Sequence, residues 1–177
     1  HGPLFFCDTD INDDPTAEQI ADIALLAAEE VGRFTPPKVA LLSHSSFGSR
    51  QSPQVRKMAE ALELIRQRAP DLEVEGEMRG DAALSEALRD RVFLHSRLKG
   101  AANLLIMPNV DAANISHNLL KEVTNGVSVG PITMGLALPA HILTRSATAR
   151  RIINMTAIAV VDAQEFAVRK RARLVGR

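Results

Sequence analysis

A three-layer α/β fold, with a mainly parallel sheet and flanking helices, is predicted from three observations. Short apolar runs of strand type alternate with longer stretches of helical periodicity along the chain. Two of the helical stretches open on a cap-plus-proline pair, Asp14-Pro15 and Ser52-Pro53. Strands separated by helices need crossover connections, which make neighbouring strands parallel and place helices on the sheet faces. Of the 177 residues, 46% are hydrophobic. A chain of this length buries about 70% of its unfolded surface, so a full core needs no covalent staples.

Leu4 to Cys7 reads as a short strand. The helix after Asp14-Pro15 carries Ile20, Ile23, Ala27 and Val31 on one face and ends near Gly32. Val39 to Leu42 is a buried type of strand. Ser52-Pro53 starts a helix with Val55, Met58, Leu62 and Ile65 as its inner stripe, stopped by Pro70. Leu72, Val74 and Gly76 alternate with Glu73, Glu75 and Glu77, which predicts a half-exposed strand. Asp81 is placed to cap a helix carrying Leu84, Ala87 and Leu88. Asn103 to Met107 is a strand, and Asn109 or Asp111 caps a helix with Ile115, Leu119 and Val123. Glycine and proline interrupt the pattern from Gly126 to Gly135, and Ile142-Leu143 reads as a short strand. The last helix starts near Thr148 and carries Ile152, Met155, Ala159, Ala163 and Phe166 on one face. The break divides the chain into an α/β subdomain, 1–129, and a C-terminal strand-and-helix segment, 130–177.

Lysine plus arginine and aspartate plus glutamate are both 21, so the formal charge is zero. The charge is unevenly spread. From Thr144 to Arg177 eight basic residues face only Asp162 and Glu165, so this segment carries +6 and the rest −6. One reading is a basic helix and tail meeting an acidic partner surface. The sharper reading is an anion site around Arg145, Arg150 and Arg151. Overall neutrality supplies no broad basic face, and six phenylalanines without tyrosine or tryptophan give no stacking platform, so nucleic acid is not expected. No apolar run approaches the roughly 20 residues of a membrane span. His1-Gly2-Pro3 has neither a basic start nor a cleavage pattern, which predicts a cytoplasmic chain, and the absent initiator methionine predicts a fragment or a processed product.

The loop Ser43-His44-Ser45-Ser46-Phe47-Gly48-Ser49 follows a strand and precedes a helix. Ligands of open α/β sheets collect at such carboxyl ends. Serine hydroxyls and free amides there can hold phosphate oxygens, with Ser43, Ser45, Gly48 and Ser49 as the cradle, or the loop is an ordinary connection. It matches neither the P-loop nor the GxGxxG pattern. Asn109, Asp111 and Asn114 either orient a substrate or cap a helix. Gly130-Pro131 and Gly135 either let a ligand approach the backbone or mark turns. Arg145 after Thr144 suits a phosphate or a thioester carbonyl. The five histidines have no ligand spacing with one another or with Cys7, so no metal is expected. A triad of Ser43 or Ser45 with His44 and Asp81 is unspecific. Cys7, the sole cysteine, reads as a small buried hydrophobe.

Several of these segments, in order, resemble the second half of phosphotransacetylases. They are Phe5-Phe6-Cys7-Asp8-Thr9, Asp14 to Gln19, Lys38 to Ser45 with Gly48-Ser49, Gly76-Glu77-Met78 with Asp81-Ala82-Ala83, Ala101 to Asn109, Asp111 to Ile115, and Gly130-Pro131-Ile132 through Gly135. Leu143-Thr144 with Ser146 to Ala157 and Ala159 to Gln164 resembles one branch, the phosphotransacetylase-like C-terminal region of large bacterial malic enzymes. The resemblance implies the second half of a phosphotransacetylase-like (isocitrate/isopropylmalate dehydrogenase-like) fold, its 130–177 segment packing on a first subdomain absent from this chain. It also implies a linked N-terminal malic enzyme half that uses NAD(P) and Mg or Mn to decarboxylate malate to pyruvate. No cofactor is expected in this segment itself.

Active phosphotransacetylases carry a Ser-Arg-Gly segment here, with an aspartate a few residues on. The resemblance implies that the serine aids acetyl transfer, the arginine holds anionic substrate and the aspartate is the base for the coenzyme A thiol. Thr144, Arg145 and Arg151 stand at these three positions. A guanidinium cannot accept the thiol proton. A second family arginine falls near Lys121 or Glu122. Three functions therefore compete. The first is an acetyl-CoA-binding regulatory module acting through a dimer or higher homo-oligomer. The second is an active acetyltransferase between coenzyme A and phosphate. The third is a structural oligomerisation module.

Overall fold

In the computed structural model, residues 2–145 and 147–175 are described. His1, Ser146, Gly176 and Arg177 lie outside them, as do the side chains of Arg169, Lys170 and Arg173 from the basic tail. The elements run β1 (Phe5–Cys7), α1 (Ala17–Gly32), β2 (Val39–Leu42), α2 (Pro53–Arg68), β3 (Val74–Met78), α3 (Gly80–Leu84), α4 (Glu86–Val92), β4 (Leu104–Ile106), α5 (Val110–Val123) and α6 (Ala149–Val175). The chain forms two compact units, His1–Leu120 and Lys121–Arg177.

The first unit holds a four-stranded sheet in the order β1-β4-β2-β3, with every pair parallel. Alternate residues of each strand face opposite sides of the sheet. One face packs Ala40, Leu42, Leu105 and Met107 with Ala82 and Ala83 of α3 and Ala113 of α5. α1 and α2 pack on each other and on the strands. Ile20, Ala24, Met58 and Ile65 of their inner stripes are fully buried. A parallel sheet flanked by helices is the fold class read from the sequence.

Local capping differs from the sequence reading at two helices. Thr16, not Asp14, caps α1: its hydroxyl accepts from the Gln19 amide and the Gln19 side chain accepts from the Thr16 amide. This is the reciprocal capping box. Asp14 instead pairs with Lys57 at 2.5 Å. Ser52 caps α2 as expected, accepting from the Val55 amide at 3.2 Å. Asp81 does not cap a long helix, because the chain breaks at Ser85 into α3 and α4. Ser85 caps the second piece. The break is held by Arg89, which is fully buried and donates to the Ala82, Leu98 and Gly100 carbonyls at 2.8 to 3.0 Å.

The predicted half-exposed strand is fully buried in β3. The register explains this. Val39 and Ala40 pair with Val74 and Glu75, but Leu42 pairs with Met78. An extra residue at Gly76-Glu77 makes a bulge that breaks the alternation. Gly76 lies against Leu41, where an added Cβ would come within 2.8 Å of Leu41 Cβ and 2.9 Å of its carbonyl oxygen. Both carboxylates of the strand turn inward onto donors. Glu75 accepts from Arg66 Nη2 at 2.8 Å, from the Arg97 amide at 2.8 Å and from the Gly76 amide.

In the second unit Ile142 and Leu143 are not a strand, since no neighbouring strand pairs with them among the described residues. α6 buries Met155, whereas Ile152 is exposed, and Ile115, Leu119 and Val123 of α5 are also exposed. Periodicity found these apolar stripes, and their outer residues are exposed among the described residues.

Candidate functional site

The carboxyl ends of the parallel strands lie along one edge of the sheet, and the loops leaving them carry most of the first unit's candidate residues. Asp8 follows β1 directly. Its carboxylate accepts from the Asp10, Ile11 and Asn12 amides at 2.9 to 3.1 Å and from Asn12 Nδ2 at 2.6 Å. Burial works to raise the Asp8 pKa, but these donors outweigh it and hold the carboxyl below its ordinary value. The neighbouring Cys7 thiol is pushed up to about 12, by burial first and by the Asp8 charge second.

The serine loop after β2 closes on an internal anion. Ser45 is fully buried. Its hydroxyl donates to Glu77 Oε1 at 3.2 Å and lies 3.1 Å from Ser49 Oγ. The Gly48 amide donates to the same carboxylate oxygen at 2.7 Å, and the Phe47 amide donates to the Glu77 carbonyl at 2.7 Å. Phe47 and Gly48 turn through the left-handed region, at φ 51° and 77°. For Phe47 that conformation costs roughly 1–2 kcal/mol. A ring stack on Phe93, with centroids 4.3 Å apart, offsets it. The Gly48 amide and the Ser45 hydroxyl, read from the sequence as donors to a phosphate, donate here to the protein's own Glu77 carboxylate. Ser43 is half-buried and accepts from the Ser45 amide, while Gly48 and Ser49 are exposed. Beside the loop a cleft of 340 Å³ is lined by Phe47, Phe93, Val55, Leu62, Arg66 and Glu77 among others.

Asn109 caps α5: its side-chain oxygen accepts from the Ala112 amide at 2.9 Å and its carbonyl from the Ala113 amide. Asn114 is exposed and donates from Nδ2 to the Thr9 carbonyl at 3.3 Å, joining α5 to the loop after β1. Asp81 is engaged locally by Arg79 and by its own helix, Ser45 by Glu77, and Ser43 Oγ by the Ser45 amide.

In the second unit Thr148 caps α6, accepting from the Arg151 amide at 3.2 Å. Arg151 Nε donates to the Gly130 carbonyl at 2.5 Å, which brings together two candidates read 21 residues apart. Pro131 is half-buried beside it. Thr144, Arg145 and Arg150 are exposed. The first turn of α6 holds Arg150 and Arg151 and no acidic residue. Two arginines at the positive end of a 27-residue helix repel its dipole, and an anion relieves that repulsion. Among the described residues no group of three or more His, Cys, Asp or Glu is arranged to hold a metal ion, and no helix is long and apolar enough to cross a membrane.

The family profile described as Phosphate acetyl/butaryl transferase matches residues 1–160. The chain belongs to this family. It is 56% identical over 165 residues, 92% of its length, to the NADP-dependent malic enzyme of Escherichia coli, and covers 22% of that protein. It is 40% identical over 91% of its length to the phosphate acetyltransferase of Paracoccus denitrificans, covering 51% of it. A phosphotransacetylase structure from Streptococcus pyogenes superposes over 90% of this chain and 49% of its own, with TM-score 0.86 and 35% identity. The chain thus spans about a fifth of the malic enzyme and about half of the acetyltransferases that it matches.

Within this transferase-family fold, sequence reasoning missed two features as site elements. One is the bulge glutamate, Glu77, which the sequence showed only within the Gly76-Glu77-Met78 segment and in an alternation that reads equally well as a solvated face. The other is the pairing of His141 with Asp162, 21 residues apart on a loop and a helix.

Proposed function

We propose that this chain is the phosphotransacetylase-like regulatory region of a multidomain malic enzyme, that it binds acetyl-CoA, and that it does not transfer the acetyl group. The observation that carries the reading is Arg151. It stands where the resemblance places the family's carboxylate base, and its side chain donates to the Gly130 carbonyl. A guanidinium at this position can hold the loop before α6 and attract phosphate, but it cannot take a proton from a thiol. Arg145, Arg150 and the amino end of α6 supply positive potential for the coenzyme's phosphates or the thioester oxygen. The 56% identity to a malic enzyme supports an N-terminal malic enzyme half in the same polypeptide, with NAD(P) and a divalent metal acting there.

Acetyl-CoA regulates such an enzyme by binding two assembly states unequally. A tenfold difference in affinity corresponds to about 1.4 kcal/mol per site. Feedback by acetyl-CoA is chemically sensible, since pyruvate is its direct precursor.

Calorimetric titration of acetyl-CoA tests the reading. Saturable binding is expected, with Arg145→Ala weakening it about tenfold, the loss of one charge-assisted hydrogen bond, at unchanged melting temperature. An unchanged dissociation constant removes Arg145 from the site. The retained Thr144 hydroxyl and Arg145 favour the second reading, an active acetyltransferase. Formation of acetyl-CoA from acetyl phosphate and coenzyme A would establish it and overturn the degenerate assignment.

A further inference from the structure

We infer that His141 and Asp162 are a positioning pair that sets the place of Thr144 and Arg145 against α6. The role in ligand binding rests on the function proposed above; the positioning itself does not. His141 Nε2 lies 2.6 Å from Asp162 Oδ2, with only 6% and 12% of the two side chains exposed. His141 precedes Thr144 by three residues. Asp162 lies about 20 Å along α6 from its first residue, at 1.5 Å per residue. The segment from Pro139 to Arg145 therefore runs back along the helix as a strap. Its far end is tied at Asp162, and its near end leads into the Thr148 cap, where the Ala147 amide donates to the Thr144 carbonyl at 3.0 Å.

Packing alone does not place this strap. An open groove of 250 Å³ lies between it and the helix, lined by the exposed Pro139 and Leu143 on one side and Met155, Thr156 and Ala159 on the other. Side chains that face solvent across a groove make few of the dispersion contacts that would define one position. The buried polar tie supplies the missing specificity. Facing a carboxylate oxygen, His141 donates in its Nε2–H tautomer, and among the described residues its buried Nδ1 meets no hydrogen-bond partner. The Asp162 contact is thus the directional restraint on the ring.

The experiment uses the full chain and two substitutions at one position. His141→Phe keeps the ring's bulk and removes the donor, whereas His141→Gln keeps a side-chain N–H. Hydrogen exchange of the Ala147 amide is followed by NMR, with Ala157 in mid-α6 as the control. Exchange at Ala147 is expected to rise about tenfold in His141→Phe, as in Asp162→Ala, and to return within about threefold of wild type in His141→Gln, with Ala157 unchanged. Equal behaviour of the Phe and Gln variants, or no change in either, overturns the positioning role. Acetyl-CoA affinity is measured on the same proteins and should follow the same order. Wild-type protein that fails to bind acetyl-CoA refutes the proposed function, while the exchange data still decide the positioning.

Discussion

Cys7 and Asp8 are adjacent residues driven in opposite directions by their surroundings. The Cys7 thiol is buried, with its pKa pushed up to about 12, so it stays protonated. It should resist iodoacetamide at pH 8 in the folded chain and react fully in denaturant. Rapid alkylation of the native protein would show that β1 opens. Asp8 is held below its ordinary value near 3.8 by four donors that outweigh its burial. A depressed carboxyl stabilises the fold above the unfolded value, and that contribution is lost as the pH falls through the folded value. Asp8→Asn should therefore lower the melting temperature at pH 7 and flatten its fall below pH 4. An identical acid limb in the variant would remove Asp8 from the account. The apolar environment of Cys7 was legible from its neighbours. The Asp8 network was not, because it depends on how Asp10, Ile11 and Asn12 fold back over one carboxylate.

At the element scale, strands and helices were readable wherever local chemistry decides them. The Val39 to Leu42 run is β2 in full, and Ser52-Pro53 starts α2. Error entered where a distant contact decides. The bulge in β3 brings Gly76 so close to Leu41 of the neighbouring strand that no Cβ fits there. Gly76→Ala should destabilise the chain by about 1–3 kcal/mol, the usual cost of overpacking. Gly32→Ala, with nothing within 4 Å, is the matched control and should be nearly neutral. Chemical denaturation of both variants measures the difference, and equal midpoints would refute the close-packing argument. Arg89 gives the same lesson. In sequence it is one arginine among several on a polar helix, yet it is the buried fastener of three carbonyls.

Across the whole molecule, the sheet and nearly all buried apolar side chains belong to residues before Ile115, with Met155 the one exception among those described. A chain ended after Val123, where α5 finishes, should fold by itself, with helix-and-strand circular dichroism and a cooperative melt. A non-cooperative melt would show that residues beyond 123 complete the core. By itself the sequence determined the alternation of strands and helices, the parallel sheet, the Ser52-Pro53 start of α2, and the grouping of basic residues around α6. These follow from periodicity and capping, which act over a few residues. Only the tertiary structure decided that Glu75 and Glu77 are buried, that the serine loop closes on Glu77, that Arg151 reaches Gly130 and that His141 meets Asp162. A buried carboxylate and a solvated one have the same letter, and which of them forms is settled by donors brought in from elsewhere in the chain.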